Sequence, residues 1–319
     1  MKIKTAIIGT GAIYPFHEEG LTKQGSYTLS AVCDQNISIR EIFRKRGIPF
    51  YSDYAEMLIK EKPDLAVICL PHYLHKPAAE VCIRAGCHVL LEKPMAMNTA
   101  ECDSLIELAE KKGVRIFVAH TQKYKPEIQA AKKIMEEGRL GSLIGIADRR
   151  YLSYYRPDRP KWFMDPEKSG GGILMNLGGH SLERLLFLTG EEFRCLKAFF
   201  SPAGKEIESA ASLQMETVSG VPVFVVLNGY SDFYLEETEL LFTGGSIKIE
   251  IQKKVSVSNS EGYQEILYSD SHPFHSLYNE IYEVLSSNKS SLQGLQARKI
   301  VSLIEKAYQS ALSGERVLL

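Results

Sequence analysis

The feature that most constrains this chain is a strict alternation, over its first 120 residues, of short apolar runs with segments of helical spacing. Apolar runs stand at Ile3–Ile8, Leu29–Cys33, Leu65–Leu70, Val89–Leu91 and Arg115–Ala119. Each is too short for a stable helix and rich enough in Val and Ile for a strand covered on both faces. Helical spacing falls between them, near residues 13 to 24, 37 to 46, 54 to 61, 76 to 85 and 100 to 112. Asp53 with Glu56 makes a capping box, and Gly113 a stop. Strands and helices in regular succession predict a doubly wound parallel α/β sheet of the Rossmann kind, because parallel neighbours need a crossover and a helix supplies it.

After about residue 121 the order changes. A helical segment (Glu127–Glu137) is followed by a long strand (Leu143–Tyr151), an irregular stretch rich in Arg, Tyr and Pro, and a helix near 178 to 189. Strands then arrive in succession near 194 to 200, 209 to 217, 222 to 230, 236 to 243 and 246 to 257, and two amphipathic helices follow, about 274 to 287 and 292 to 313. Short Gly or polar turns between the strands read as a mostly antiparallel open sheet, so an α+β domain follows the α/β one. The expected domains are 1–121 and 122–319. The length of 319 residues agrees with about two domains.

Composition narrows the class without naming it. Thirty-eight Lys and Arg against 39 Asp and Glu leave a formal charge of -1, so there is no global basic field to condense on nucleic acid or anionic lipid. The opening apolar run is too short for a signal peptide, and no stretch nears the roughly 18 apolar residues of a membrane span. A soluble, cytoplasmic protein is the expectation. Six scattered cysteines without a C-x-x-C pair read as reduced core thiols. His72-x-x-His75 and His272-x-x-His275 lack a second ligand pair at zinc spacing, so no metal is expected.

Gly9-Thr10-Gly11-Ala12-Ile13-Tyr14 follows the first strand and opens the first helix. In that context a glycine turn lets backbone amides approach a pyrophosphate at a helix N-terminus. The second strand ends in Asp34, 25 residues after Gly9, where a carboxylate can accept hydrogen bonds from the adenosine ribose. No Arg or Lys follows until Arg40, which favours NAD, with NADP not excluded. Tyr14 occupies the fingerprint's third small position, so the helix sits further out or the ring points away. Cys69-Leu70-Pro71-His72-Tyr-Leu-His75 and Leu91-Glu92-Lys93-Pro94 end the third and fourth runs, at carboxyl ends of parallel strands beside the cofactor crevice.

Together with Gly9-x-Gly11, His17 and Asp34, these segments resemble the glucose-fructose oxidoreductase and inositol dehydrogenase family, the Gfo/Idh/MocA oxidoreductases. The resemblance extends through Tyr124-x-Pro126, Gly170-Gly-Gly172-x-x-x-Asn176-x-x-x-His180 and Tyr308-x-Ser310-x-x-x-Gly314. It implies that Leu70, Pro71, His75, Glu92 and Lys93 flank the cofactor and that Lys93, at the nicotinamide, binds the reacting hydroxyl. A free lysine titrates near about 10.4, and partial burial beside a cationic nicotinamide would lower that value. A cis bond before Pro94 is implied too, fixing the lysine's direction. His180 is implied as the second catalytic group, a general base, though either it or Lys93 could take the proton. Asn176 stands where the best-studied members have Asp; it can hold substrate but cannot supply charge to an imidazole. Glu183, also at an Asp position, reads as structural support.

The resemblance further implies that Tyr124 and the segment Arg149–Phe163, with Trp162, contribute to the substrate pocket. Aromatic faces and arginine forks suit a sugar bearing phosphate, carboxylate or nucleotide, while the same stretch also fits a solvated loop. The implied activity is NAD(P)-dependent hydride transfer at a secondary hydroxyl or ketone of a sugar, inositol or related cyclic alcohol. Two alternatives share the resemblance: a glycoside hydrolase using transient oxidation by bound NAD, and a non-catalytic NAD- or sugar-binding regulator. Val221–Leu227, apolar at successive positions, implies a strand apolar on both faces, one covering helices and the other meeting a second subunit in a homodimer or homotetramer.

Overall fold

The computed structural model describes residues 2–201, 207–260, 262–287 and 291–319. The chain divides into two compact units, the first Met1–Thr121 with His272–Val301, the second Gln122–Ser271 with Ser302–Leu319. The continuous second domain expected over 122–319 is therefore interrupted: residues 272–301 return to the first unit. The reason is apolar, since Ala297 and Val301 are buried in the core that also holds Ala6, Ile68, Leu91 and Val118.

The first unit alternates β1 (Ile3–Ile8), α1 (Tyr14–Gln24), β2 (Tyr27–Cys33), α2 (Arg40–Lys45), β3 (Phe50–Tyr51), α3 (Tyr54–Glu61), β4 (Leu65–Ile68), α4 (His75–Arg84), β5 (His88–Leu91), α5 (Thr99–Lys112) and β6 (Ile116–Val118). The strands form a parallel sheet in the order β3-β2-β1-β4-β5-β6. Its order reverses between β1 and β4, and such a switch point leaves a crevice at the strands' carboxyl ends. β4 is fully buried from Leu65 to Ile68, as a strand covered on both faces must be. Asp53 caps α3 by accepting from the amides of Ala55 (2.7 Å) and Glu56 (3.0 Å), and Gly113 ends α5 in the left-handed conformation. One expected helix differs: residues 37–46 split into a 3₁₀ turn, Ile37–Ile39, capped by the Asn36 side chain, and the short α2.

The second unit contains α6 (Pro126–Glu136), β7 (Leu143–Ser153), α7 (Pro166–Ser169), α8 (Gly179–Thr189), β8 (Phe193–Ser201), β9 (Ala210–Thr217), β10 (Pro222–Asn228), β11 (Tyr230–Phe242), β12 (Gly245–Glu250), β13 (Lys254–Asn259) and β14 (Gly262–Ile266). Helices α9 (Pro273–Ser287) and α10 (Gln293–Ser313) and strand β15 (Val317–Leu318) complete the chain. Among the described residues the second sheet has nine strands in the order β14-β13-β12-β11-β7-β10-β9-β8-β15, antiparallel except for β7 with β10. The single strand expected over 246–257 is two, because the chain turns at Ile251–Lys253 with Gln252 left-handed (φ 60°). β11 begins at Tyr230, six residues before its expected start. On β10, Val223, Val225 and Leu227 are buried while Phe224 and Val226 on the opposite face are 49 % and 38 % exposed. Phe199 of β8, half exposed, shares that outer face through the ladder Phe199–Ser212–Val226.

Among the described residues no helix is long and apolar enough to cross a membrane. None of the six cysteines, all of them described, forms a disulfide, and all but Cys69 are buried.

Candidate active site

In the first unit the loop after β1 is built around Gly9, whose φ of 93° suits glycine. A Cβ there would lie 2.4 Å from the Cys69 carbonyl oxygen at the end of β4, so only glycine lets the turn pass its neighbour. At Gly11, by contrast, a Cβ would meet no atom within 4 Å. The loop thus presents an open backbone face immediately before α1, which fits a bound pyrophosphate. Pro15 lies in the first turn of that helix, where its missing amide costs nothing. Tyr14 is accommodated because its ring turns onto Phe43 in an edge-on contact at 5.6 Å and its hydroxyl donates to Glu18 at 2.8 Å.

Asp34 closes this loop from the neighbouring strand. Its Oδ2 accepts from the Thr10 amide (2.8 Å) and the Thr10 hydroxyl (2.7 Å), and its Oδ1 from the Asn36 amide (2.8 Å). Partial burial pushes its pKa up, but the Asn36 and Thr10 hydrogen bonds outweigh burial and leave the carboxylate below its ordinary range. Among the described residues, three of the four hydrogen bonds that a carboxylate can accept are therefore made within the protein, leaving one Oδ1 position. Thr10 had no assigned role in the sequence; its signal was its position between the two glycines, within reach of the strand-end acid.

Glu92, Lys93 and Pro94 follow β5, and the Lys93–Pro94 bond is cis, as the resemblance implied. Glu92 Oε1 lies 2.9 Å from Nε2 of the wholly buried His17, and Glu92 Oε2 accepts from the Lys93 amide at 3.2 Å. Burial works against the Glu92 charge, yet His17 and the positive charge of Lys93 hold its pKa below the ordinary value. His75 is buried with Nδ1 2.6 Å from the Pro94 carbonyl and Nε2 2.8 Å from the Leu70 carbonyl. A neutral imidazole has one N–H, so it serves one of these carbonyls at a time, and burial lowers the pKa of this histidine. His75 thereby ties the Leu70-Pro71 turn to Pro94, turning its nitrogens toward backbone. His72 is buried beside it, the two rings 5.8 Å apart.

In the second unit the Gly170-Gly171-Gly172 run packs onto Glu208 and Tyr308. A Cβ on Gly172 would lie 2.1 Å from the Glu208 carbonyl oxygen, and one on Gly171 1.9 Å from the Tyr308 hydroxyl. The Glu208 carboxylate accepts from the amides of Gly172 (2.8 Å) and Leu174 (2.9 Å) and from the Tyr308 hydroxyl (2.7 Å). A carboxylate at these leading amides favours the helical segment that starts here. That segment opens as a π-helical turn, Leu174–Gly178, and continues as α8. Asn176 lies in the π turn, 5 % exposed, and its amide donates to the Tyr154 hydroxyl at 3.1 Å. His180 is in the first turn of α8. Glu183, one turn on, accepts from the Lys123 amide at 3.2 Å, so it pins the turn that carries the buried Tyr124; burial pushes its carboxyl up to about 8.

The second unit also contains partners that periodicity did not signal. Arg184 is wholly buried, donating to Asp148 at 2.9 and 3.1 Å and to Glu236 at 2.7 Å, which clamps α8 onto β7 and β11. Trp162 stacks on Phe163, centroids 3.7 Å apart. The Arg159 guanidinium lies 3.8 Å from the ring centroids of both Tyr154 and Phe163.

Residues 3–120 match the family model described as oxidoreductase family, NAD-binding Rossmann fold, and residues 128–248 the GFO/IDH/MocA C-terminal domain. The chain belongs to the GFO/IDH/MocA oxidoreductase family. The scyllo-inositol 2-dehydrogenase (NADP(+)) IolW of Bacillus subtilis (strain 168) is 32 % identical over 194 residues, 59 % of this chain and 52 % of that protein. The D-glucoside 3-dehydrogenase of Escherichia coli (strain K12) is 28 % identical over 193 residues, 59 % of this chain and 54 % of that protein. The chain spans about half the length of the curated relatives it matches. A levoglucosan dehydrogenase solved with NADH and levoglucosan superposes with a TM-score of 0.90 at 16 % identity, covering 100 % of this chain and 99 % of that one, a likeness of fold.

Proposed function

We propose that this chain is an NAD-preferring dehydrogenase acting reversibly on a secondary hydroxyl of a sugar, inositol or related cyclic alcohol. The observation that supports the reading is the cis Lys93–Pro94 turn at the carboxyl end of β5, with Glu92 bonded to His17 and to the Lys93 amide. The inositol and glucoside relatives support a polyhydroxylated substrate.

Bound NAD supplies a hydride acceptor at carbon 4 of its nicotinamide. Lys93 holds the substrate hydroxyl oxygen and stabilises the alkoxide that develops on it. His180 accepts the hydroxyl proton as the carbon–hydrogen bond breaks and the alcohol becomes a ketone. Asn176, held by Tyr154, Tyr124, fixed beside the Glu183-bonded turn, and Trp162 line the substrate side. Asp34, spent largely on Thr10, accepts one ribose hydroxyl and repels a 2′-phosphate, which favours NAD although the Bacillus relative's name specifies NADP. The outer face of the second sheet, with Phe199, Phe224 and Val226, meets a second copy in a homodimer or homotetramer. We place the protein in the cytoplasm, on its six unbridged thiols.

The test is product analysis with a polyol and sugar panel. Stoichiometric NADH supports dehydrogenation, whereas sugar release at catalytic NAD means glycoside cleavage. Lys93→Ala is expected to lower turnover by about 10²- to 10⁴-fold while leaving NAD affinity largely intact; unchanged turnover rejects its role. Light scattering at micromolar concentration checks the assembly, and a monodisperse monomer rejects it.

A further inference from the structure

We propose that the substrate is anionic and that its carboxylate or phosphate is bound by the Arg159 guanidinium, beside Tyr154 and Asn176. This rests on the dehydrogenase reading and adds to it the chemical class of the alcohol.

Arg159 is partly buried, and among the described residues it forms no ion pair with Asp or Glu. The adjacent acid, Asp158, is engaged by Arg156 at 3.1 Å. Instead the guanidinium sits against the faces of Tyr154 and Phe163, each centroid 3.8 Å away, and its Nε is buried without a hydrogen-bond partner among the described residues. Two aromatic faces attract a cation but accept no in-plane hydrogen bond, so they orient the fork and leave Nε unanswered. Burial disfavours the charge, and Arg156 adds like-charge repulsion. A partly buried fork held against two rings, with Nε unsatisfied and no carboxylate paired to it among the described residues, matches a planar carboxylate or a phosphate face.

Its position ties it to the substrate side. Tyr154, fully buried, hydrogen-bonds to Arg159 and accepts from the Asn176 amide at 3.1 Å, and Asn176 lies four residues before His180. The neutral amide at position 176 is consistent with this arrangement, since an aspartate there would compete for the guanidinium and repel an incoming anion.

The experiment is calorimetric titration of the NAD-loaded protein with matched probes: glucose, glucuronate and glucose 6-phosphate, galactose and galacturonate, myo-inositol and inositol 1-phosphate. The expected result is binding of at least one anionic probe about 10- to 100-fold tighter than its neutral partner, as one charge-assisted contact supplies, with that margin erased in Arg159→Met and partly retained in Arg159→Lys. The uronates and phosphates separate the two sources of charge. Wild-type protein that binds neutral probes as tightly as anionic ones, or binds none, overturns the proposal, and so does an anion preference that survives in Arg159→Met. NADH formation, followed separately with the bound probe, tests the dehydrogenase reading: anion binding without any hydride transfer sinks that reading and leaves the anion site standing.

Discussion

His17 and Glu92 meet at 2.9 Å, imidazole Nε2 against carboxylate Oε1, with the histidine wholly removed from solvent. The contact joins α1, which follows the glycine loop, to the turn that carries Lys93, so loop and turn are fixed by one pair.

The other ring nitrogen of His17 meets a second buried partner. Nδ1 lies 2.8 Å from the hydroxyl of buried Tyr278 on α9; a tyrosine O–H donated there leaves the imidazole proton on Nε2, facing Glu92. Tyr278→Phe keeps the ring that packs over Gly20 but leaves Nδ1 buried and unanswered. The expected loss is about 1–3 kcal/mol in urea denaturation. An unchanged midpoint would mean that the hydroxyl does not set the tautomer.

Asp34→Asn tests the strand-end acid. The substitution weakens the clamp on Thr10 and removes the repulsion of a 2′-phosphate, so NAD affinity is expected to fall about tenfold and discrimination against NADP to narrow. The pKa of Asp34 is depressed in the folded state, so its stabilising contribution is present above the unfolded value of about 3.9 and lost as pH falls through the folded one. Wild type is therefore expected to lose more stability than Asp34→Asn on acidification below about pH 4. Calorimetry with both nucleotides and acid-limb melting curves check the two halves, and identical curves reject the linkage.

The strands, helices and strand-end motifs of the first unit were legible because their signals are local: apolar runs, a capping box at Asp53, glycines at Gly9 and Gly113. Asp34 and Glu92 could be picked out as acids at strand ends, yet their partners could not. Thr10 meets Asp34, and Tyr278 meets the His17 that faces Glu92, only after register and crossover are set, and Tyr278 lies 261 residues from His17. The same holds for Arg184: Asp148 and Glu236 look like solvated strand positions until β7 and β11 align under α8. The turn at Ile251–Lys253 was hidden by apolar residues continuing on both sides, and the return of residues 272–301 to the first unit by an amphipathic pattern that specifies a buried face without saying against what.

Arg184→Met is expected to be the most damaging of these changes. It strands the fully buried carboxylates of Asp148 and Glu236; among the described residues the first keeps the 2.6 Å bond from Thr238 and the second its contacts with Lys125, Arg150 and Tyr234. Breaking a buried pair by deleting one partner costs about 3–5 kcal/mol. Chemical denaturation measures it, with Arg184→Lys expected to fall between, because a lysine restores charge but not the fork. A loss under about 1 kcal/mol would show that water reaches the acids.

Glu183 yields a pH dependence of opposite sign to that of Asp34. Burial, opposed only partly by the amides of Lys123 and Gln122 and the nearby lysine charges, pushes its carboxyl up to about 8, so the folded protein holds this proton at neutral pH while the unfolded chain releases it near about 4.3. A raised folded pKa gives stability that is complete below the unfolded value and declines as pH rises through the folded one. Glu183→Gln keeps an oxygen for the Lys123 amide and has no proton to lose. It is expected to match wild type at pH 4 and to become progressively more stable than wild type toward pH 8, with the difference levelling off above that. Melting temperatures of both proteins across that range decide the matter: parallel curves would show that Glu183 is ionised in the fold, and that the turn carrying Tyr124 rests on a carboxylate, not an acid.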